Sequence, residues 1–256
     1  LDIFTPIDMQ NTVALITSST STSDKKKLIE EIKNGTKRMI IGTHALIEDY
    51  LEIEELALVI IDEQHRFGVL QRQALALKGV RPHILVMTAT PIPRTLTMTL
   101  YGDLDVSILD ELPPGRKPIK THWRSQEKRE QVYKGAQTLI DEGRQIYVVC
   151  PLVEESEKLQ AKSATQLAEH ISLEVFPQYR VGLLHGQMRP DEKEEVMAQF
   201  KAHELDVLVS TTVIEVGIDV PNASVIIIED AERFGLAQLH QLRGRVGRGE
   251  HASFCI

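Results

Sequence analysis

Cysteine is nearly absent from this chain. Cys150 and Cys255 are its only two, which excludes a disulfide-stapled scaffold and any multi-cysteine zinc cage. Both sit in apolar runs, as reduced, buried thiols do. Aromatic residues make up only 5% of the chain, so the cores must be built from Ile, Leu, Val and Ala. No apolar stretch reaches the ~18–20 residues that span a bilayer, and the first ten residues have neither the basic start nor the apolar centre of a secretory leader. The expectation is a cytoplasmic protein with no membrane partner. Basic charge is not in excess either. Lys and Arg total 29 against 37 Asp and Glu, a net charge of −8. Bulk electrostatic capture of nucleic acid is thereby excluded, although a locally basic groove is not. A further absence concerns nucleotides. No G-x-x-x-x-G-K-[ST] loop occurs, the segment whose amides and lysine cradle a triphosphate.

What is present is ordinary globular material, 42% hydrophobic and 26% charged. At ~150 residues per domain the length suits about two domains. Short β-branched runs alternate with longer amphipathic stretches, the pattern of a parallel sheet with helices on both faces. Strands are expected at Val13–Ile16, Arg38–Gly42, Leu56–Ile61, His83–Met87 and Asp105–Leu109. Leu56–Ile61 reads as buried on both faces. Helices are expected at Asp24–Lys33, with Ser23 as N-cap, at Val69–Lys78 and at Arg94–Leu100. Glu111 to Pro118 then holds three prolines and a glycine, a stiff connector. The boundary falls there, giving domains 1–115 and 116–256. The second series has strands at Ile119–Trp123, Ile146–Cys150, Arg180–Leu184, Asp206–Ser210, Ser224–Ile228 and Ala252–Ile256. Its helices are Lys128–Glu142, Ser156–Leu173, Asp191–Phe200 and Leu236–Gln241 or beyond.

In such folds ligands sit outside the carboxyl ends of the strands, so the residues just after each apolar run matter most. Asp62 and Glu63 end the run Val59-Ile60-Ile61 and are followed by Gln64 and His65. Two carboxylates there are costly without a cationic or hydrogen-bonding receiver. Asp62 suits magnesium, and Glu63 suits an attacking water. Two solvated acids are the plain alternative, which this pattern does not decide against by itself. Thr88 and Thr90 end another strand before Pro91 and Pro93, as hydroxyl relays or as a simple helix cap. Gln241, Arg245 and Arg248 are spaced four and three apart, on one face if the helix persists. Gly244 and Gly247 weaken that helix but admit close backbone approach. Guanidinium groups suit phosphate oxygens and transition-state charge. Thr211 and Thr212 follow the strand ending at Ser210 and precede a Gly217-x-Asp219 turn. The hydroxyls suit a phosphodiester, and Asp219 suits a ribose hydroxyl. Thr43 with His44, and His185 with Gly186, mark two further strand ends on a nucleic-acid backbone track.

In order, these segments resemble the motor of a superfamily two helicase. Asp62–His65 resembles its Walker B motif, Thr88-Ala89-Thr90 motif III, Thr211–Asp219 motif V and Gln241–Arg248 motif VI. The stretches Ile61–Val69, Met87–Thr95, Asp110–Arg116 and Glu232–Gly249 are similar to the RecG family of bacterial ATP-dependent DNA helicases. The resemblance implies an α/β fold of two RecA-like, P-loop NTPase-type parallel-sheet lobes, the first incomplete. It implies ATP and magnesium as cofactors, with hydrolysis between the lobes, and branched double-stranded DNA, such as Holliday junctions and stalled forks, as partner. By this carry-over Asp62 holds magnesium and Glu63 is the catalytic base. Arg245 and Arg248 are arginine fingers, and Gln241 meets the γ-phosphate. Gly217 and Asp219 join the nucleotide site. His65, Thr88 and Thr90 couple it to DNA, while Ser19, Thr43, His44, His185, Gly186, Thr211 and Thr212 contact nucleic acid.

Departures from the family are the missing phosphate loop with its strand and helix, the missing wedge domain and C-terminal helical hairpin, and Ser18 where the family has glycine. The expectation is a segment of a longer motor, inactive alone and prone to self-association, from a monomeric parent. The translocase module of a transcription–repair coupling factor shares several of the same blocks. A non-catalytic helicase-like interaction domain would explain the missing loop, but not the retained acids and arginines.

Overall fold

The computed structural model describes residues 10–17, 20–46, 53, 56–63, 82–88, 105–112, 116–150, 157–212 and 219–256. The chain divides into two units, 1–89 and 90–256.

In the first unit, β1 (Val13–Ile16) leads through α1 (Thr22–Lys33) to β2 (Met39–Gly42), which pairs parallel to β1. A parallel pair requires such a crossover. Ala14, Ile16 and Ile32 form its core, with Leu28, Ile29, Ile40 and Leu46 packed around them. The N-cap of α1 is Ser21, not Ser23: its Oγ accepts from the Asp24 N–H at 3.1 Å. Capping requires an extended residue ahead of the first turn, and Ser23 already lies inside the helix. β3 (Leu58–Ile61) and β4 (His83–Val86) form a second parallel pair. β3 is not buried throughout as expected. Val59 and Ile61 point inward while Leu58 and Ile60 are exposed. Residues 105–109 form no strand, and their side chains are exposed. The helices expected at Val69–Lys78 and Arg94–Leu100 lie outside the described residues.

The second unit is built on six parallel strands: β5 (Ile119–Thr121), β6 (Gln145–Val149), β7 (Val181–Leu184), β8 (Val207–Ser210), β9 (Ala223–Ile228) and β10 (Ser253–Cys255). Their order is β5-β10-β9-β6-β8-β7. Every residue of β6, β8 and β9 is buried, because both faces are covered. On one face α2 (Arg129–Asp141) and α3 (Glu157–His170) pack Tyr133, Ala136, Ile140, Ala164 and Ala168 against Ile146, Val148, Val207 and Val209. On the other, α4 (Pro190–Lys201) and α5 (Leu236–Arg243) bring Met197, Phe200 and Leu242 to Tyr147, Leu208 and Ile226. Both cysteines are buried thiols. Burial pushes Cys150 up to about 12 and Cys255 up to about 11, so neither is a ready nucleophile. No helix among the described residues is long and apolar enough to cross a membrane.

Candidate functional site

The first unit presents the acidic pair. Asp62 and Glu63 leave the carboxyl end of β3, and the register Ile61↔Val86 sets Thr88 alongside them at the end of β4. Asp62 is exposed, and its Oδ1 accepts the Glu63 N–H at 2.8 Å. Glu63 is half-buried and holds φ at 50°, the left-handed region that side-chain-bearing residues rarely occupy. Such backbone strain persists only where surrounding structure enforces it, and it clusters at functional sites. No group of three His, Cys, Asp or Glu side chains converges among the described residues. An exposed carboxylate of this kind still fits magnesium, which takes one or two carboxylates and fills its octahedron with phosphate oxygens and water. Thr43 follows β2 and is exposed, and His44 opens the short turn after it. Ser19, His65 and Thr90 lie outside the described residues.

The second unit gathers the other candidates at the carboxyl ends of its strands. Leu184 and Ser210 are register partners, so His185 and Gly186 stand beside Thr211 and Thr212. Thr211 is buried, with its N–H donated to the Leu184 carbonyl at 3.1 Å. The residue is therefore almost wholly enclosed. Thr212 is half-buried. His185 Nδ1 is buried without a hydrogen-bond partner. Burial, and then the Lys193 charge, hold its pKa below the ordinary histidine value against the opposing pull of Glu192. Lys193 Nζ donates to the Gly186 carbonyl at 2.7 Å.

The helix that begins at Leu236 ends at Arg243, with Gly244 as its cap, so it does not persist far enough to carry Gln241, Arg245 and Arg248 on one face. Gln241 belongs to the last helical turn, while both arginines lie in the loop beyond it. Val246 and Leu242 are fully buried and anchor that loop. Two glycines explain why it runs where it does. Gly247 takes φ 79°, and a Cβ on Gly249 would stand 2.2 Å from the Pro221 carbonyl oxygen. The loop thus lies against the segment that contains Asp219. Arg248 Nη1 meets Asp219 Oδ1 at 3.5 Å, and its Nε donates to the Gly244 carbonyl at 3.2 Å. Asp219, read from sequence as a ribose acceptor, is therefore paired with Arg248 in this structure. Gly217 lies outside the described residues. Burial raises the Tyr147 pKa, and the Arg245 and Arg248 charges oppose that rise.

Two groupings escaped the sequence reading. Glu229 accepts from Tyr133 Oη and from Arg129 Nε, the latter at 3.2 Å, at the carboxyl end of β9. Arg116, given no role of its own in the sequence, donates to the Gly244 carbonyl. A cation directly after Pro-Pro-Gly was the one signal available for it.

Residues 3–99 match the DEAD/DEAH box helicase family, and residues 127–250 match the helicase conserved C-terminal domain. The ATP-dependent DNA helicase RecG of Synechocystis is 51% identical over 95% of this chain and 29% of its own length. Its namesake in Streptococcus pneumoniae is 54% identical over 95% of this chain and 36% of its own length. That of Haemophilus influenzae is 58% identical, over 89% and 34%. Among solved structures, RecG bound to a three-way DNA junction superposes with a TM-score of 0.70 at 45% identity, covering 99% of this chain and 32% of that one. Mycobacterium smegmatis Lhr, at 17% identity and a TM-score of 0.63, shares the fold. The chain spans about a third of the length of the curated relatives it matches. Its two α/β units are RecA-like parallel-sheet lobes, and over 95% of its length the chain is similar to RecG helicases.

Proposed function

We propose that this chain is the motor segment of an ATP-dependent DNA helicase that remodels branched DNA in recombination and repair. Holliday junctions and stalled replication forks are its substrates, and it works in the cytoplasm. The observation that carries this reading is the pairing of 51–58% identity to RecG helicases with retention of both chemical halves of a helicase motor. Those halves are Asp62 with Glu63, and Gln241 with Arg245 and Arg248. We place the functional lobe boundary at 115/116, within the second of the two compact units, 90–256.

ATP would supply the scissile phosphoanhydride, and magnesium, when bound, would neutralise its phosphates. Asp62 would hold the magnesium. Glu63 orients and deprotonates the attacking water. Gln241 contacts the γ-phosphate, while Arg245 and Arg248 stabilise charge on the transferred phosphoryl group. Gly217 and Asp219 line the nucleotide site, and Asp219 also keeps Arg248 in place. His65, Thr88 and Thr90 couple hydrolysis to DNA. Ser19, Thr43, His44, His185, Gly186, Thr211 and Thr212 lie along the DNA backbone. His185 serves there as a neutral imidazole, and Thr211 serves through the strand end it caps.

The test is ATP hydrolysis by the full-length protein on forked duplex DNA. Arg245→Ala is expected to lower kcat ~10³-fold or more, as arginine fingers do in related phosphoryl transfer. Glu63→Gln is expected to abolish turnover while sparing ATP binding. This 256-residue chain alone is expected not to turn over, for want of a phosphate loop. Wild-type turnover by either variant overturns the reading.

A further inference from the structure

The segment leading into β5 lies along the arginine loop and meets it at three points. At the start of the loop, Arg116 Nη2 donates to the Gly244 carbonyl at 3.2 Å. The same carbonyl accepts Arg248 Nε at 3.2 Å. At the middle, a Cβ on Gly247 would stand 2.8 Å from Ile119 Cγ1 and 3.6 Å from the Lys117 carbonyl oxygen. At the end, Lys117 Nζ donates to the Glu250 carbonyl at 2.6 Å. Residues 116–119 therefore act as a strap along residues 244–250.

Gly244 closes α5, where the helix leaves partial negative charge on its last carbonyls. An oxygen with two lone pairs can take both guanidinium groups. Arg248 is planar, so a bond fixed at Nε sets the direction of both Nη groups. One of them reaches Asp219, at 3.5 Å. The direction of the Gly244 carbonyl thus determines where the Arg248 charge is presented, and Arg116 is the second group holding that carbonyl.

We propose that Arg116 is a positioning residue for ATP hydrolysis: it fixes the Gly244 carbonyl and, through it, the Arg248 guanidinium. This rests on the reading above that the two arginines act on the transferred phosphoryl group. Arg116 touches no reacting atom itself. Its effect is on geometry, and displacements of about 1 Å at a catalytic group cost on the order of 10²-fold in rate.

The experiment compares DNA-stimulated ATP hydrolysis by full-length Arg116→Ala, Arg116→Lys, Arg248→Ala and Arg116→Ala/Arg248→Ala proteins, with Arg245→Ala alongside. Arg116→Ala is expected to lower kcat about tenfold to a hundredfold and to move KM for ATP less than about twofold, the mark of an interaction felt in the transition state. Arg116→Lys restores part of the rate. In the Arg248→Ala background, Arg116→Ala adds no further loss, because its route runs through Arg248. Unchanged kcat in Arg116→Ala, or losses that multiply in the double variant, overturns the proposal, provided Arg245→Ala is crippled. Normal turnover by Arg245→Ala and Arg248→Ala overturns the functional reading and this proposal with it.

Discussion

Gln145 is a polar side chain with 1% of its surface exposed, at the start of β6 in a largely apolar sheet. Its Nε2 donates to the Phe200 carbonyl at 2.6 Å and to the Leu205 carbonyl at 2.7 Å. Its Oε1 accepts from Asn222 at 3.2 Å. One amide thus ties the start of β6 to the end of α4, to the turn before β8 and to the turn before β9. Gln145→Leu keeps most of the volume but removes all three bonds. Its expected cost is about 1–3 kcal/mol, the range for leaving buried polar groups unpaired. Urea denaturation of the chain reads this as a lower midpoint with an unchanged slope, and an unchanged midpoint would contradict it. The same logic separates what was legible at residue scale from what was not. Asp62, Glu63, Gln241, Arg245 and Arg248 could be singled out as candidates because the proposed chemistry is written in residue type and local spacing. The partners could not. Arg116 and Gly244 are 128 positions apart, and nothing local to Pro113-Pro114-Gly115-Arg116 announces a partner so distant in sequence. Thr211 shows a related limit: a hydroxyl residue after a strand looks available in sequence, whereas here the residue is 2% exposed and its N–H is taken by Leu184 of β7.

Strands and helices of the second unit were legible nearly residue by residue, because strands buried on both faces are unbroken apolar runs and the helices between them carry one apolar stripe. Where the pattern left an end open, tertiary contacts set it. Leu236–Arg243 stops short of Arg245, and the loop beyond turns at Gly247 to pass Ile119 and Pro221. Asp105–Leu109 has strand-like composition, but no neighbouring strand pairs with it among the described residues. How strands are tied together gives a prediction at this scale. Arg180, just before β7, grips Asp206, just before β8: Nε and Nη2 donate to the two carboxylate oxygens at 3.0 and 2.7 Å, and the Arg180 N–H adds 2.9 Å. Burial of Asp206 opposes its ionisation, but these bonds outweigh it and hold its pKa below the ordinary carboxylate value. A depressed folded-state pKa stabilises the fold fully above the unfolded value of about 3.9, and that contribution fades as pH falls through the folded value. Asp206→Asn is therefore expected to melt below wild type at pH 7 and to converge with it under pH 4. Thermal scans from pH 7 to pH 3 test this, and a constant gap would argue against it.

At the scale of the whole molecule the two units differ in how far their sheets are covered. The second buries three complete strands, while the first leaves apolar side chains facing outward from both of its strand pairs. On β3 and β4 the register puts Ile60 opposite Leu85 on the same face as Leu58, and these three are 57%, 48% and 51% exposed. On β1 and β2, Leu15 faces Ile41, at 55% and 44%. Parallel pairs are almost always found covered on both faces, and two-stranded sheets are marginal by themselves. Contiguous exposed apolar surface of this kind marks an association site. We therefore expect this chain, on its own, to self-associate through the β3–β4 face. Light scattering coupled to size exclusion over a dilution series should give a mass that climbs above 28.8 kDa as concentration rises. Ile60→Lys places a charge at the centre of that face and should shift the distribution to monomer, whereas Leu236→Lys, an exposed leucine on the second unit, should leave it unchanged. A single species of constant monomeric mass at every concentration would mean that these side chains are covered within one molecule, and the two strand pairs would then have to belong to a more complete sheet in solution.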